Sequence, residues 1–578
     1  MNEKKPRRPK SKLVSILLSL LVTLIVGFIY FYVSLPALNL QDSNFYVFIF
    51  ILCLVFVVSA LFNSGFQITA GGGLKEYVRF IKSQCLPVGI LMILLILVGL
   101  VGSLISMPIF RASDYRDLLN VQDGDFATDV AQISFNDIPT LDRSSAEFLG
   151  DRQMGTLSDM VSQFEYSGDS TQINYNNKPV RVAPIAYADL FKWFTNRSEG
   201  LPAYVVVNMV TQQATVNRLP EGMKYSFSEP LNRNIMRHLR FQYPTFMFST
   251  PEFEIDESGH PWWIAPRIVK TIGLFGGTDI KGAVLVDAVT GESQYHEEVP
   301  LWVDTLYTPE LIMEQYDYHG TLVNGFLNSI FGQRDVTITT DGYNYIAMND
   351  DVYVYTGVTS ANADQSNLGF LLCNMRTKET HFYVAPGATE AAARASAEGV
   401  VQDLGYTSTF PLLLNISGEP TYFIPLKDAT NLVKSYAMVN VAQYQIVATG
   451  STVASCEQAY LKLMQEKGIT TPEERVETQV SGTVAEVRTA VIEGTSYYFV
   501  RLEGETVFYS LSAAQNPLAV LLNEGDKVTI DHAPAMEGET SAFLEGYTLT
   551  IDGKAAPAPI FTPAPSPAPL PEETAPAV

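Results

Sequence analysis

Cysteine is scarce in this sequence: Cys53, Cys85, Cys373 and Cys456 are the only four in 578 residues, too few for a disulfide framework. Two of them, Cys53 and Cys85, fall in or beside apolar segments. Only Cys373 and Cys456 are placed to pair outside a membrane; the alternative is that each is a buried thiol packing as a small hydrophobe. Basic residues are scarce after position 110. Residues 1–110 hold nine Lys and Arg against three acids, which leaves 29 basic and 58 acidic residues in 111–578, a net charge of −29. Such a body repels phosphate backbones, which excludes nucleic acid as a partner. The signatures H-E-x-x-H, G-x-S-x-G, C-x-x-C and S-x-x-K are absent, and the six histidines (His238, His260, His296, His319, His381, His532) stand apart from one another. No cofactor or metal is implied.

Charge is also missing from three long apolar runs, Leu13–Leu35, Phe45–Phe62 and Val88–Phe110, each long enough to cross about 30 Å of hydrocarbon. The tail 1–12 is basic, the loop 36–44 has no Lys or Arg, and the loop 64–87 carries Lys75, Arg79 and Lys82. Positive-inside logic places the N-terminus and the second loop in the cytoplasm and everything after residue 110 outside the plasma membrane. Within the second loop, Leu74, Tyr77, Val78 and Ile81 share one helical face. Lys75, Arg79 and Lys82 lie opposite, suited either to anionic lipid head groups or to a plain lead-in to the third span. Gly99 and Ser103 offer small residues for helix packing.

From 111 to 467 the chain turns to short runs of Val, Tyr, Phe and Thr punctuated by Gly, Pro, Asn and Asp, the pattern of strands and turns. Helices are expected at Thr389–Leu404 with Gly405 as its stop, from Thr308-Pro309-Glu310 onward, and around Ile185–Phe194. The fold class is therefore α+β: three N-terminal transmembrane helices and a β-rich body with a few helices. Three stretches repeat a pattern of apolar residues, Asn or Asp, two variable positions and Thr: Val205–Thr211, Val284–Thr290 and Leu371–Thr377. Asx and Thr side chains bond the local backbone where a chain reverses, so each copy predicts a β-hairpin. These hairpins resemble those of PepSY-type extracytoplasmic modules, in which a strand ends at a D-x-x-T-G-like turn with a helix nearby.

A boundary falls near Gly468–Arg475. Beyond it, Val480–Val487, Thr495–Leu502 and Thr506–Leu511 read as strands, and Leu522–Ile530 as a Gly-Asp turn leading into another. The region 476–553 is similar to small OB-type barrels. It lacks a basic groove with aromatic residues, so the nucleic-acid role of such barrels does not carry over. Residues 554–578 are rich in Pro and Ala and predict an extended, disordered spacer. Along its length the chain resembles a bacterial family of three-span membrane proteins with large outer domains, sometimes labelled cell-shape-related. Leu149–Arg152, Lys178–Arg181, Phe191–Trp193, Arg237–Arg240, Tyr353–Ser360 and Phe410–Asn415 carry the likeness. That family brings no catalytic residues with it.

The most suggestive polar stretch is Leu141–Arg152, where two Asp-Arg pairs supply Asp142 and Asp151 as a candidate acid and base. The competing reading is structural: Ser144-x-x-Glu147 as a capping box and Gly150 as a helix stop. Asp123-Gly124-Asp125 and Asn349-Asp350-Asp351 are oxygen-rich but lack calcium-loop spacing. Trp262 and Trp263, adjacent in an alternating strand, face opposite sides. Three functional readings follow: a non-enzymatic envelope scaffold that binds a protein or an envelope polymer, an envelope hydrolase using carboxylates, or an accessory subunit of a membrane transport or export complex. In each the lipid bilayer is a partner.

Overall fold

The computed structural model describes residues 12–63, 81–130, 132, 138–348, 350–361, 366–469, 478–492, 495–513, 516–532 and 543–554. Lys75, Arg79, Asn349, Gly71–Gly73 and the Pro/Ala-rich tail lie outside them. The chain divides into two units, Met1–Thr449 and Gly450–Val578.

Three helices in the first unit are long and apolar enough to cross a membrane: α1 (Lys12–Ser34), α2 (Ser43–Asn63) and the segment Lys82–Ile105, in which a π turn (Ile81–Cys85) runs into α3 (Leu86–Ile105). Small polar side chains join them. Asn63 donates to the hydroxyls of Ser19 and Ser59, both at 3.2 Å, and Ser15 donates to Gln84 at 3.3 Å. The third span ends earlier than its apolar run. Pro108 lacks the N–H that would continue the helix, so the chain breaks at Ser106-Met107 and restarts as α4 (Pro108–Arg116). Gly99 has open space around it and Ser103 is exposed. Gly102 makes the close contact instead, since a Cβ there would come within 2.6 Å of the Phe275 ring.

After β1 (Val121–Gly124) and α5 (Phe126–Asp129), the rest of this unit is one plan drawn four times. In each module a helix precedes two short strands that pair in series along one long strand, followed by two more antiparallel strands. The first comprises α6 (Arg143–Gly155), β2 (Phe164–Tyr166), β3 (Thr171–Tyr175), β4 (Lys178–Tyr187), β5 (Leu201–Asn208) and β6 (Ala214–Met223), with α7 (Leu190–Asn196) between β4 and β5. The second comprises α8 (Ile235–Gln242), β7 (Met247–Phe248), β8 (Glu252–Ile255), β9 (Pro261–Ile272), β10 (Gly276–Asp287) and β11 (Ser293–His296). The third comprises α9 (Pro309–Thr321), β12 (Thr337–Thr339), β13 (Asn344–Met348), β14 (Asp351–Ser360), β15 (Ser366–Asn374) and β16 (Thr380–Ala388), with β1 added in parallel to β16. The fourth comprises α10 (Glu390–Val400), β17 (Thr407–Ser408), β18 (Leu412–Ile416), β19 (Glu419–Lys427), β20 (Val433–Asn440) and β21 (Val447–Gly450). The helix expected around Ile185–Phe194 is shifted: β4 occupies the chain to Tyr187, and Asp189 caps α7 by accepting from the amides of Phe191 and Lys192.

The last hairpin of each module turns on an Asx residue. Asn208 Oδ1 accepts from the amides of Val210 and Thr211, Asp287 Oδ1 from Val289 and Thr290, and Asn374 Oδ1 from Arg376 and Thr377, all at 2.8–3.0 Å. Asn440 is the fourth and accepts from Gln443 N at 2.8 Å. The residue after each Asx is apolar, buried and bonded at both ends of its peptide unit. Met209, Ala288, Met375 and Val441 donate to the carbonyls of Pro179, Pro261, Val352 and Pro420 at the start of the long strand, at 3.0–3.1 Å. Their own carbonyls accept from Thr140, Tyr225, Tyr307 and Ala388 on the approach to the module's helix, at 2.8–3.0 Å. Four modules with one hydrogen-bond register form an internal repeat.

The second unit holds α11 (Val453–Glu466) and a closed barrel of β22 (Thr478–Ile492), β23 (Thr495–Leu502), β24 (Phe508–Ser512), β26 (Phe543–Ile551) and β25 (Lys527–His532), in that order around the ring. All its pairings are antiparallel except β24 with β26. Alternate residues such as Val500, Leu502, Tyr509, Leu511, Val528 and Ile530 fill its centre, as strand periodicity requires.

Candidate functional site

Asp142 and Asp151 do not meet. Asp142 is the N-cap of α6: one carboxylate oxygen accepts from Ser145 N at 2.9 Å, and the other accepts from Lys427 Nζ at 2.8 Å and Ser144 Oγ at 3.0 Å. Burial works to raise its pKa, but the Lys427 ammonium and the Ser145 donors outweigh it and hold the carboxyl below its ordinary value. Asp151 is exposed, nine residues on, which is about 13 Å along the helix and half a turn round it. The cap is therefore Asp142 rather than a Ser144/Glu147 box. Glu147 instead pairs with Arg143 at 2.7 Å and accepts from Ser170 at 3.0 Å. Gly150 does not stop the helix, which runs on to Gly155; it lies where a Cβ would meet the Tyr166 ring.

Neither Cys373 nor Cys456 takes part in a disulfide. Cys373 is buried in the third module, where Thr380 donates to its sulfur at 3.1 Å and burial pushes the thiol up to about 12. Cys456 is buried in the second unit. Lys82 is exposed on the π turn. Asp125 caps α5, and Asp351 holds Arg376 through two bonds of 2.7 Å. Trp263 is fully buried and donates to Tyr225 O, while Trp262 on the other face donates to Asp256. Among the described residues no cluster of three His, Cys, Asp or Glu could hold a metal ion.

Sequence reasoning missed a group of acids where the first three modules meet. Glu254 is wholly buried on β8 and accepts from the amides of Asp304 and Thr305, both at 2.9 Å. Asp304, 2 % exposed, accepts from Asn174 N at 2.7 Å. Burial, and then the neighbouring Asp304, raises Glu254 well above the usual carboxylate range; burial also pushes Asp304 up to about 8, against the Asn174 amide and Arg376 and with Asp350 and Asp351. Protonated carboxyls can be general acids, but both of these are buried, and their oxygens accept from the backbone amides of Asp304, Thr305 and Asn174. The signal was the alternation Glu252-x-Glu254 within an otherwise apolar strand.

A second arrangement was illegible in sequence. The loop that joins α1 to α2 is bonded to the second module: Leu38 N donates to Pro244 O at 2.8 Å, Asn39 to Thr245 O at 2.9 Å and Gln41 to Lys270 O at 2.8 Å. Arg237 and Arg240 on α8 donate to the carbonyls of Tyr32 and Leu35 at 3.1 and 2.9 Å. The β9–β10 turn meets the end of α3, where Ser106 Oγ accepts from the amides of Leu274 and Phe275. Between these contacts lies a cavity of about 450 Å³, lined by both ends of the α1–α2 loop and by Arg240, Phe248, Lys270 and Phe275. Around the same junction large apolar side chains are bare. Phe191 and Phe194 on α7 are 83 % and 62 % exposed. Arg233, bonded to Arg197 O beside α7, adjoins Asn232, which accepts from Tyr32 at the end of α1.

No protein-family model and no curated protein sequence matches the chain. Among solved structures, a sucrose complex of a variant GH32 beta-fructofuranosidase from Bombyx mori aligns at 11 % identity with a TM-score of 0.17, over 63 % of this chain and 62 % of that one. An ACO/RPE65 chimera aligns at 8 % identity with a TM-score of 0.12, over 66 % of this chain and 64 % of that one. The chain thus spans less than two thirds of the length of either, and likenesses this distant carry no argument about fold or activity. What the chain itself defines is a protein with three candidate membrane spans and a β-rich body with some helices.

Proposed function

We propose that this is a membrane-anchored, extracytoplasmic envelope protein that acts as a non-enzymatic scaffold, its modular body binding another protein or an envelope polymer. The observation that carries the reading is the fourfold repeat of one hydrogen-bond register in a body bonded to the outer ends of its anchor. Repeated modules of this kind build extended surfaces rather than a single cleft. The helix-plus-hairpin plan supports the resemblance to PepSY-type modules. The strand order of the second unit, with its one parallel pairing, suits an OB-type barrel. The bare Phe191 and Phe194 fit a body whose rim rests in the head-group layer, where aromatic and cationic side chains are favoured. The hydrolase reading loses its residues, because Asp142 is committed to a helix cap and to Lys427.

The test is purification of the full chain in mild detergent followed by identification of what stays bound. A stoichiometric protein or glycan partner that is lost when exposed module surfaces are changed supports the scaffold. Turnover of an envelope polymer by the purified chain alone contradicts it.

A further inference from the structure

The cavity at the junction of anchor and body is built for an anion. Lys270 sits on β9 opposite Thr278, and its ammonium donates to the Thr278 hydroxyl at 2.7 Å. Arg240, 6 % exposed, donates to the carbonyls of Leu35 and Phe246, neutral acceptors that do not balance its charge, beside the same space. Neither cation is within ion-pair distance of a carboxylate among the described residues. The acids whose charge reaches them are Asp42 for both and Glu314 for Lys270. Asp42, the one acid in the lining, is engaged at the start of α2, accepting from Asn44 N at 2.9 Å. Two desolvated cations against one occupied carboxylate leave an uncompensated positive charge, which is costly without a counter-ion.

The position of the cavity says where the anion comes from. Tyr30 and Val47, from the last turn of α1 and the first turns of α2, form one wall, and Phe275 at the tip of the β9–β10 turn forms another. These are the ends of the spans, level with the boundary between hydrocarbon and head groups. We infer that the cavity binds the phosphate head group of a membrane lipid, with Lys270 and Arg240 on the phosphate and the acyl chains running down beside α1 and α2. Charge-assisted bonds to phosphate in such a site are among the stronger polar contacts. The site goes beyond the scaffold reading and does not depend on it.

The experiment is native mass spectrometry of the full chain in a neutral detergent, titrated with dioctanoyl phosphatidylglycerol. Dioctanoylglycerol and inorganic phosphate are the comparison ligands. One phosphatidylglycerol should bind saturably and outcompete both others. Lys270→Gln should weaken it about tenfold, the loss expected for one charge-assisted bond. Lys281→Gln, which removes an exposed cation paired with Glu297, should leave it unchanged. Because Arg240 also holds the backbone, the variant Val47→Trp, which fills the cavity from its apolar wall, is the second probe and should abolish binding. Equal binding of dioctanoylglycerol, effective competition by inorganic phosphate at the same concentration, or indifference to both Lys270→Gln and Val47→Trp would each overturn the assignment.

Discussion

Lys427, at the end of a strand in the fourth module, donates to Asp142, the helix cap of the first, at 2.8 Å across 285 residues of sequence. The pair is mostly buried and closes the body on itself. Asp142→Asn removes the charge and leaves Lys427 facing a neutral amide, and should cost about 1–3 kcal/mol. Asp151→Asn, on the exposed face of the same helix, should cost less than about 0.5 kcal/mol. Melting temperatures of the two variants beside the parent check this; equal losses would contradict it.

The acids at the meeting of the first three modules predict a pH dependence of stability. Asp304 takes up its proton at about pH 8 when folded, against about 3.9 unfolded. A raised folded pKa contributes stability that is complete below the unfolded value and is lost as pH rises through the folded one. Glu254 acts in the same direction. The melting temperature should therefore fall as pH rises from about 5 to 8. Asp304→Asn, which carries no titrating proton, should flatten that fall. An unchanged slope in the variant would remove Asp304 as its cause.

The fourfold repeat predicts that its Asx turns matter alike. Replacing Asn208 or Asn440 by Ala removes side-chain acceptors from the turn and should cost about 1–2 kcal/mol at either place. Asn374→Ala should cost more, since its amide also donates to the buried Asp351 at 2.8 Å. Chemical denaturation of the three variants orders them. A negligible effect at Asn440 would argue that the fourth module is not an equivalent copy.

Much of this architecture was legible because it is local. Spans follow from uninterrupted apolar runs, and three hairpins were found from Asx-x-x-Thr. The fourth escaped because Gln443 stands where Thr would be and its turn is one residue longer: Asn440 N donates to Ile446 O, whereas Asn208 N donates to Gln213 O. The third span was carried too far, to Phe110 rather than Ile105, because hydropathy does not register the missing N–H of Pro108. A capping box at Ser144 was expected because the motif has the right spacing, but Asp142, two residues earlier, is the stronger acceptor and is already fixed by Lys427. The junction cavity had no sequence signal at all, since Leu35 meets Arg240 across 205 residues and Gln41 meets Lys270 across 229.

The docking of body on anchor predicts a steric result. Gly102 faces the Leu274 and Phe275 side chains so closely that Gly102→Leu must push them aside, which should loosen the seating of the β9–β10 turn. The variant should still insert in the membrane, yet protease should cut the turn near Gly273 faster than in the parent. Identical cleavage rates would mean that the turn does not seat against α3.

The central claim, a body held outside the membrane on an anchor whose second loop is cytoplasmic, is tested most directly by a membrane-impermeant thiol label on intact cells carrying single cysteines at Glu257, Lys281 or Ser64. The account predicts modification at Glu257 and Lys281, and at Ser64 only after the membrane is opened. Labelling of Ser64 on intact cells, with Glu257 and Lys281 protected, would contradict it.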